Sequence, residues 1–125
     1  MERLKTFLGI ALLVAIAGCA TTSITNLTPT QMPRSQNGQY LVEMKMDTQQ
    51  QTMRPDSITP YVVVGFEQYK MRPTLKMADR WETYVPIDAD HDSILYHFKV
   101  NYAFNRFGKP GEGSLLSQEY KLTIK

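Results

Sequence analysis

From Ile94 to Phe104 every second residue is large and apolar: Ile94, Tyr96, Phe98, Val100, Tyr102 and Phe104, with Leu95, His97, Lys99, Asn101 and Ala103 between them. A helix repeats its apolar residues at three and four. A period of two puts one row on each face of a strand, so this run predicts a half-buried β-strand. The alternation recurs in Tyr40, Val42, Met44 and Met46, in Trp81–Ile87, and in Leu116, Tyr120, Leu122 and Ile124. Tyr61–Phe66 (YVVVGF) is apolar on both faces and predicts a central strand. Pro29, Pro33, Asn37-Gly38, Pro55, Pro60, Pro73 and Lys109-Pro110-Gly111 punctuate these runs as turns. Strands are predicted near 23–28, 39–47, 58–69, 81–87, 93–105 and 115–124, with a short one near 74–77. The pattern implies an all-β sandwich of about seven antiparallel strands.

The first part of the 125-residue chain follows a different rule. Met1–Thr6 carries Arg3 and Lys5 against Glu2, and Phe7–Gly18 (FLGIALLVAIAG) has no charge. As a helix those twelve residues reach about 18 Å, against a bilayer core of about 30 Å. The segment is short for a membrane span and suits the apolar region of an export signal. A buried core helix is the poorer reading, because a helix apolar on every face needs more surrounding protein than this chain has.

Ile16-Ala17-Gly18-Cys19 closes that region. An aliphatic residue, two small residues and a cysteine resemble the bacterial lipobox. The resemblance implies a diacylglyceryl group on the Cys19 sulfur, cleavage between Gly18 and Cys19, and acylation of the new amine. Cys19 is the only cysteine, so no disulfide can form within the chain, and lipidation would remove an otherwise exposed thiol. The expected organisation is a helical signal peptide at 1–18, the lipidated cysteine and a short tether at 19–23, and one β-domain at 24–125. Ala20–Ser23 spans about 14 Å at most, which holds the domain near the membrane. Position 20 is alanine; in Gram-negative lipoproteins an aspartate there commonly retains the protein in the inner membrane. The resemblance therefore implies passage to the outer membrane if the source has one.

Without Arg3, Lys5 and Glu2 the chain keeps twelve basic and eleven acidic side chains, a formal charge of +1. Phosphate binding needs a basic field, so nucleic acid is not expected as a partner. Tyr96-His-Phe98-Lys-Val100, followed by Asn105, Gly108, Ser114–Ser117 and Tyr120-Lys-Leu122, resembles the last hairpin of fibronectin type III and immunoglobulin-like domains. Asp92, four residues before Tyr96, matches the tyrosine corner of that superfamily, and Phe98 falls where an immunoglobulin domain has its second cysteine. Trp81 is not on the strand where the immunoglobulin tryptophan belongs. The resemblance implies an immunoglobulin-like sandwich and no particular function.

Candidate chemistry is sparse. Asp88, Asp90 and Asp92 have the spacing of the first three EF-hand ligands, but Ser93 and Lys99 stand where glycine and glutamate are needed. A looser metal site with His91 competes with a plain solvated turn, and the turn is preferred. His97 is expected on the outer face of its strand. The chain has no Gly-x-Ser-x-Gly elbow, Gly-rich phosphate loop or HExxH motif, so neither an enzyme nor a cofactor is expected. Lys70–Trp81 holds Lys70, Arg72, Lys76 and Arg80 against Asp79, with Met71, Leu75, Met77 and Trp81 between them. It is read either as a surface for an acidic glycan, lipid headgroup or partner protein, or as a sheet edge protected by charge. The leading expectation is an envelope lipoprotein held in the membrane by lipid on Cys19. It would act as a non-enzymatic binding or assembly module toward an envelope protein or glycan. A carbohydrate-binding module that stacks sugar on Trp81, Tyr61, Tyr69 and Tyr84 is the alternative.

Overall fold

A computed structural model describes residues 22–125. The expected signal helix, Gly18 and Cys19 lie outside the described residues. Ten strands follow in order: β1 (Thr22–Asn26), β2 (Gln31–Met32), β3 (Gln39–Thr48), β4 (Thr59–Val64), β5 (Glu67–Lys70), β6 (Arg72–Pro73), β7 (Arg80–Pro86), β8 (Ser93–Phe104), β9 (Gly111–Leu116) and β10 (Tyr120–Ile124). One sheet has the order β1-β3-β7-β6; the other runs β2-β10-β8-β4-β5, with β9 also on β8. Lettered along the chain, these orders match the ABED and GFCC′ sheets of an immunoglobulin-like sandwich. All pairings are antiparallel except β2 on β10, where Thr123 lies beside Gln31.

The period-two rows form the core. Val42 and Met44 from β3, Val85 from β7, Val62 from β4, Phe98 and Val100 from β8 and Leu122 from β10 are fully buried. Each such side chain stabilises the fold by about 1.5–3 kcal/mol relative to exposure. Phe98 sits at the centre, with the Tyr96 ring edge-on at 5.8 Å and the Tyr120 ring at 5.9 Å. No disulfide ties the sheets together; the Asn26 amide on β1 donates to the Tyr96 hydroxyl on β8 at 2.8 Å. That bond replaces the tyrosine corner implied by the family resemblance. Asp92 instead accepts from Arg34 at 3.0 Å, and its carbonyl accepts from the Ile124 amide at 2.7 Å.

The first strand ends at Asn26 rather than 28, and the short β2 and β6 are additions to the sequence reading; four further differences each have a local cause. The strand expected over 58–69 is a hairpin. Gly65, at φ +60°, takes the first of two turn positions, as in a type II′ turn, and places Phe66 at the tip. The strand expected over 115–124 divides into β9 and β10. Lys99 faces Leu116 but Tyr96 faces Tyr120, so the second chain carries one extra residue, a β-bulge. The Ser117 hydroxyl accepts from the Phe98 amide at 2.8 Å, satisfying the ladder where the strand breaks. The bulge also reverses side-chain parity, so Leu115 packs on the core and Leu116 is exposed. Residues 74–77 form a turn rather than a strand, with Lys76 in the left-handed region at φ +62°. Finally, Thr22, expected in the tether, already pairs with Thr48, so the first strand begins one residue early.

β9 is held on β8 by glycine–aromatic pairs. Gly113 lies opposite Tyr102 and Gly111 opposite Phe104, and the rings fold over the missing side chains. A Cβ on Gly113 would meet the Tyr102 ring at 2.5 Å. Gly113→Ala is expected to swing that half-exposed ring off the sheet and cost about 1 kcal/mol, the scale of a cross-strand aromatic contact. A denaturant titration checks this; an unchanged midpoint would show that the ring is not packed on the glycine.

Candidate functional site

The Lys70–Trp81 segment does not form one surface, because it crosses from one sheet to the other. Lys70 ends β5, paired with Tyr61. Met71 is buried between the sheets, its amide donating to the Pro60 carbonyl at 2.9 Å. Arg72 lies on the outer face of the other sheet, 3.2 Å from the Glu82 carboxylate and 5.8 Å above the Tyr84 ring. Lys76 is at the tip of the following loop, and Arg80 and Trp81 open β7. Trp81 is partly buried against the core, as is Tyr69. Tyr61 lies on a different sheet from Tyr84, which is half-exposed on β7. These four aromatic residues make no flat stacking row.

Asp88, Asp90 and His91 come together in the exposed β7–β8 loop. The imidazole Nδ1 is 3.7 Å from Asp90 and 4.0 Å from Asp88, close enough for the three to share a cation. Asp92 is turned away and paired with Arg34. This is an open acidic turn with one structural carboxylate. His97 lies on the outer face of β8, opposite Val63. The hydroxyls of Ser57, Ser114 and Ser117 bond to backbone groups or to Asn101 rather than to an imidazole. An open groove of about 670 Å³ runs over β8 and β9 between Ser57, Tyr102, Glu112 and Ser114.

The ends of the sandwich differ more than its faces. At one end, Thr22 pairs with Thr48, the Met46 amide donates to the Asp79 carbonyl, Met53 bridges to Phe104, and the Asn105 amide donates to the Thr52 carbonyl. Three loops, 49–54, 74–79 and 105–110, therefore share the pole where the first strand begins. Phe107 stands fully exposed there, at 106% of its reference surface, as does Leu75 at 89%; Met77 is also exposed. Lys45 and Asp47, and Arg54 and Asp56, pair with one another on the surface there. Lys76, Arg80, Arg106 and Lys109 remain without an ion pair among the described residues, against Asp79 and Glu112. The opposite pole holds Glu67, Asp88, Asp90 and the Arg34–Asp92 pair, with Phe66 at the hairpin tip. Of the basic pole, Leu75, Lys76, Met77 and Arg80 belong to the segment expected as a binding surface, whereas Arg106, Phe107 and Lys109 do not. Phe107 was legible as a lone aromatic within Asn105–Gly111, a run of turn formers and cations that no core can bury.

No protein-family model matches the chain, and no curated protein is significantly similar to it. A solved structure of murine CRIg is similar to 82% of this chain over 98% of its own length, at 11% identity and a TM-score of 0.44.

Proposed function

We propose that this chain is a bacterial envelope lipoprotein, anchored by lipid on Cys19, whose immunoglobulin-like domain serves as a non-enzymatic binding or assembly module. One observation carries the proposal: residues 1–19 place a basic start, an uncharged apolar stretch and a lipobox cysteine in order, three residues before β1. One acyl chain holds a protein only marginally, whereas two or more hold it stably. A triacylated Cys19 would make the anchor permanent, and Ala20 would allow transfer to the outer membrane. Among the described residues no helix is long and apolar enough to cross a membrane.

The test is the mass and location of the native protein. The N-terminal peptide should begin at Cys19 and carry diacylglycerol and an amide-linked acyl chain. The protein should fractionate with the outer membrane, and Ala20→Asp should shift it to the inner membrane. A mature N-terminus without lipid, or mature protein found only with the inner membrane, would refute the anchor or the sorting respectively.

A further inference from the structure

We infer that the basic pole docks on an anionic bilayer surface, with Phe107 and Leu75 entering the headgroup region and Lys76, Arg106 and Lys109 lying against lipid phosphates. The inference rests on the lipoprotein reading for its anchor and goes beyond it by orienting the domain. Cys19 lies three residues before Thr22, so the lipidated sulfur and the pole are at most about 11 Å apart along the chain. Interfacial side chains bury about 5–10 Å into the headgroup and acyl boundary. The pole is therefore within contact range of the surface that holds the anchor.

Exposure and charge then select this pole. A single exposed leucine on a soluble domain needs no explanation. Here an aromatic and an aliphatic side chain project from two loops at one end, each flanked by cations: Lys76 follows Leu75, and Arg106 and Lys109 bracket Phe107. Lysine and arginine near an anionic surface are each attracted on the scale of a fivefold change in binding. Lys76 is also held in a left-handed conformation that costs a non-glycine residue energy, and such conformations gather at functional sites. The far pole exposes Phe66 too, but beside Glu67 and at the end that also carries Asp88 and Asp90. An anionic surface would repel it. With the basic pole down, the acidic turn and the long sheet faces point toward other envelope partners.

Phe107→Trp and Phe66→Trp test the orientation, since both positions are exposed and neither contributes to the core. The full chain, purified from membranes, is reconstituted into vesicles containing phosphatidylglycerol with brominated acyl chains. The unsubstituted chain gives the contribution of Trp81. The indole at position 107 should be quenched and blue-shifted, and the one at position 66 should match water. Quenching at 107 should fall toward the background in phosphatidylcholine vesicles, or when Lys76→Gln, Arg106→Gln and Lys109→Gln are combined. Equal quenching at both positions, or stronger quenching at 66, would overturn the inference. So would quenching at 107 that ignores lipid charge. The intact mass of the same sample reports lipidation of Cys19 separately. If lipid is absent, the lipoprotein reading fails; an uncleaved chain is then held on the vesicles by the apolar stretch 7–18, a cleaved one is added to them from solution, and in either case the two indoles still decide the pole.

Discussion

Replacing Cys19 by serine is expected to leave the chain in the membrane without lipid and with residues 1–18 still attached. The lipobox reading makes the sulfur the acceptor of diacylglycerol, and cleavage after Gly18 depends on that modification. A serine hydroxyl is nearly the same size but lacks the thiolate nucleophile. The apolar stretch 7–18 would stay embedded, so fractionation alone would miss the defect. Mass is the measurement that separates the species: the natural chain should begin at Cys19 with lipid, and the Cys19→Ser chain at Met1 without it. The effect is all or none. A mature Cys19→Ser protein held in the membrane would show that the export signal is of the ordinary secretory kind, and that the cysteine is incidental to it.

How far the sequence alone reaches depends on which physical rule a residue obeys. Alternation is read directly, because a core face admits only apolar side chains; Tyr40, Val42, Met44, Tyr96, Phe98 and Val100 are all buried as their spacing predicts. Breaks inside an apolar run are harder to see. Gly65-Phe66 reads as part of one strand over 58–69, yet the glycine's freedom at φ +60° makes it a hairpin tip. The bulge at Ser117–Glu119 leaves no mark in composition, because a serine hydroxyl and amide keep the β8 ladder satisfied across the gap. Poles are illegible for a different reason. Leu75, Phe107 and Thr22 are far apart in sequence, and it is the pairing of β1 and β7 with β3, together with the bridge from Met53 to Phe104, that brings their loops to one end.

Two phenylalanines nine positions apart should respond oppositely to truncation. Phe98 has no exposed surface, and its ring touches Tyr96 and Tyr120 between the sheets. Phe98→Ala removes the ring from a site walled by two β-ladders that cannot collapse into the gap, so it should cost about 3–5 kcal/mol. Domains of this size are stable by about 5–15 kcal/mol, so the loss is a large part of the total and should lower the melting temperature by more than about 10 °C. Phe107→Ala alters a ring in open solvent and should stay within about 0.5 kcal/mol of the natural chain. If Phe98→Ala does not fold at all, Phe98→Leu, which keeps most of the volume, should fold with a smaller loss and preserve the order of the series. Thermal melts followed by circular dichroism decide it. Equal midpoints for the Phe98→Ala and Phe107→Ala chains would mean that Phe98 does not pack between the sheets, and the assignment of the period-two row to the core would fail with it.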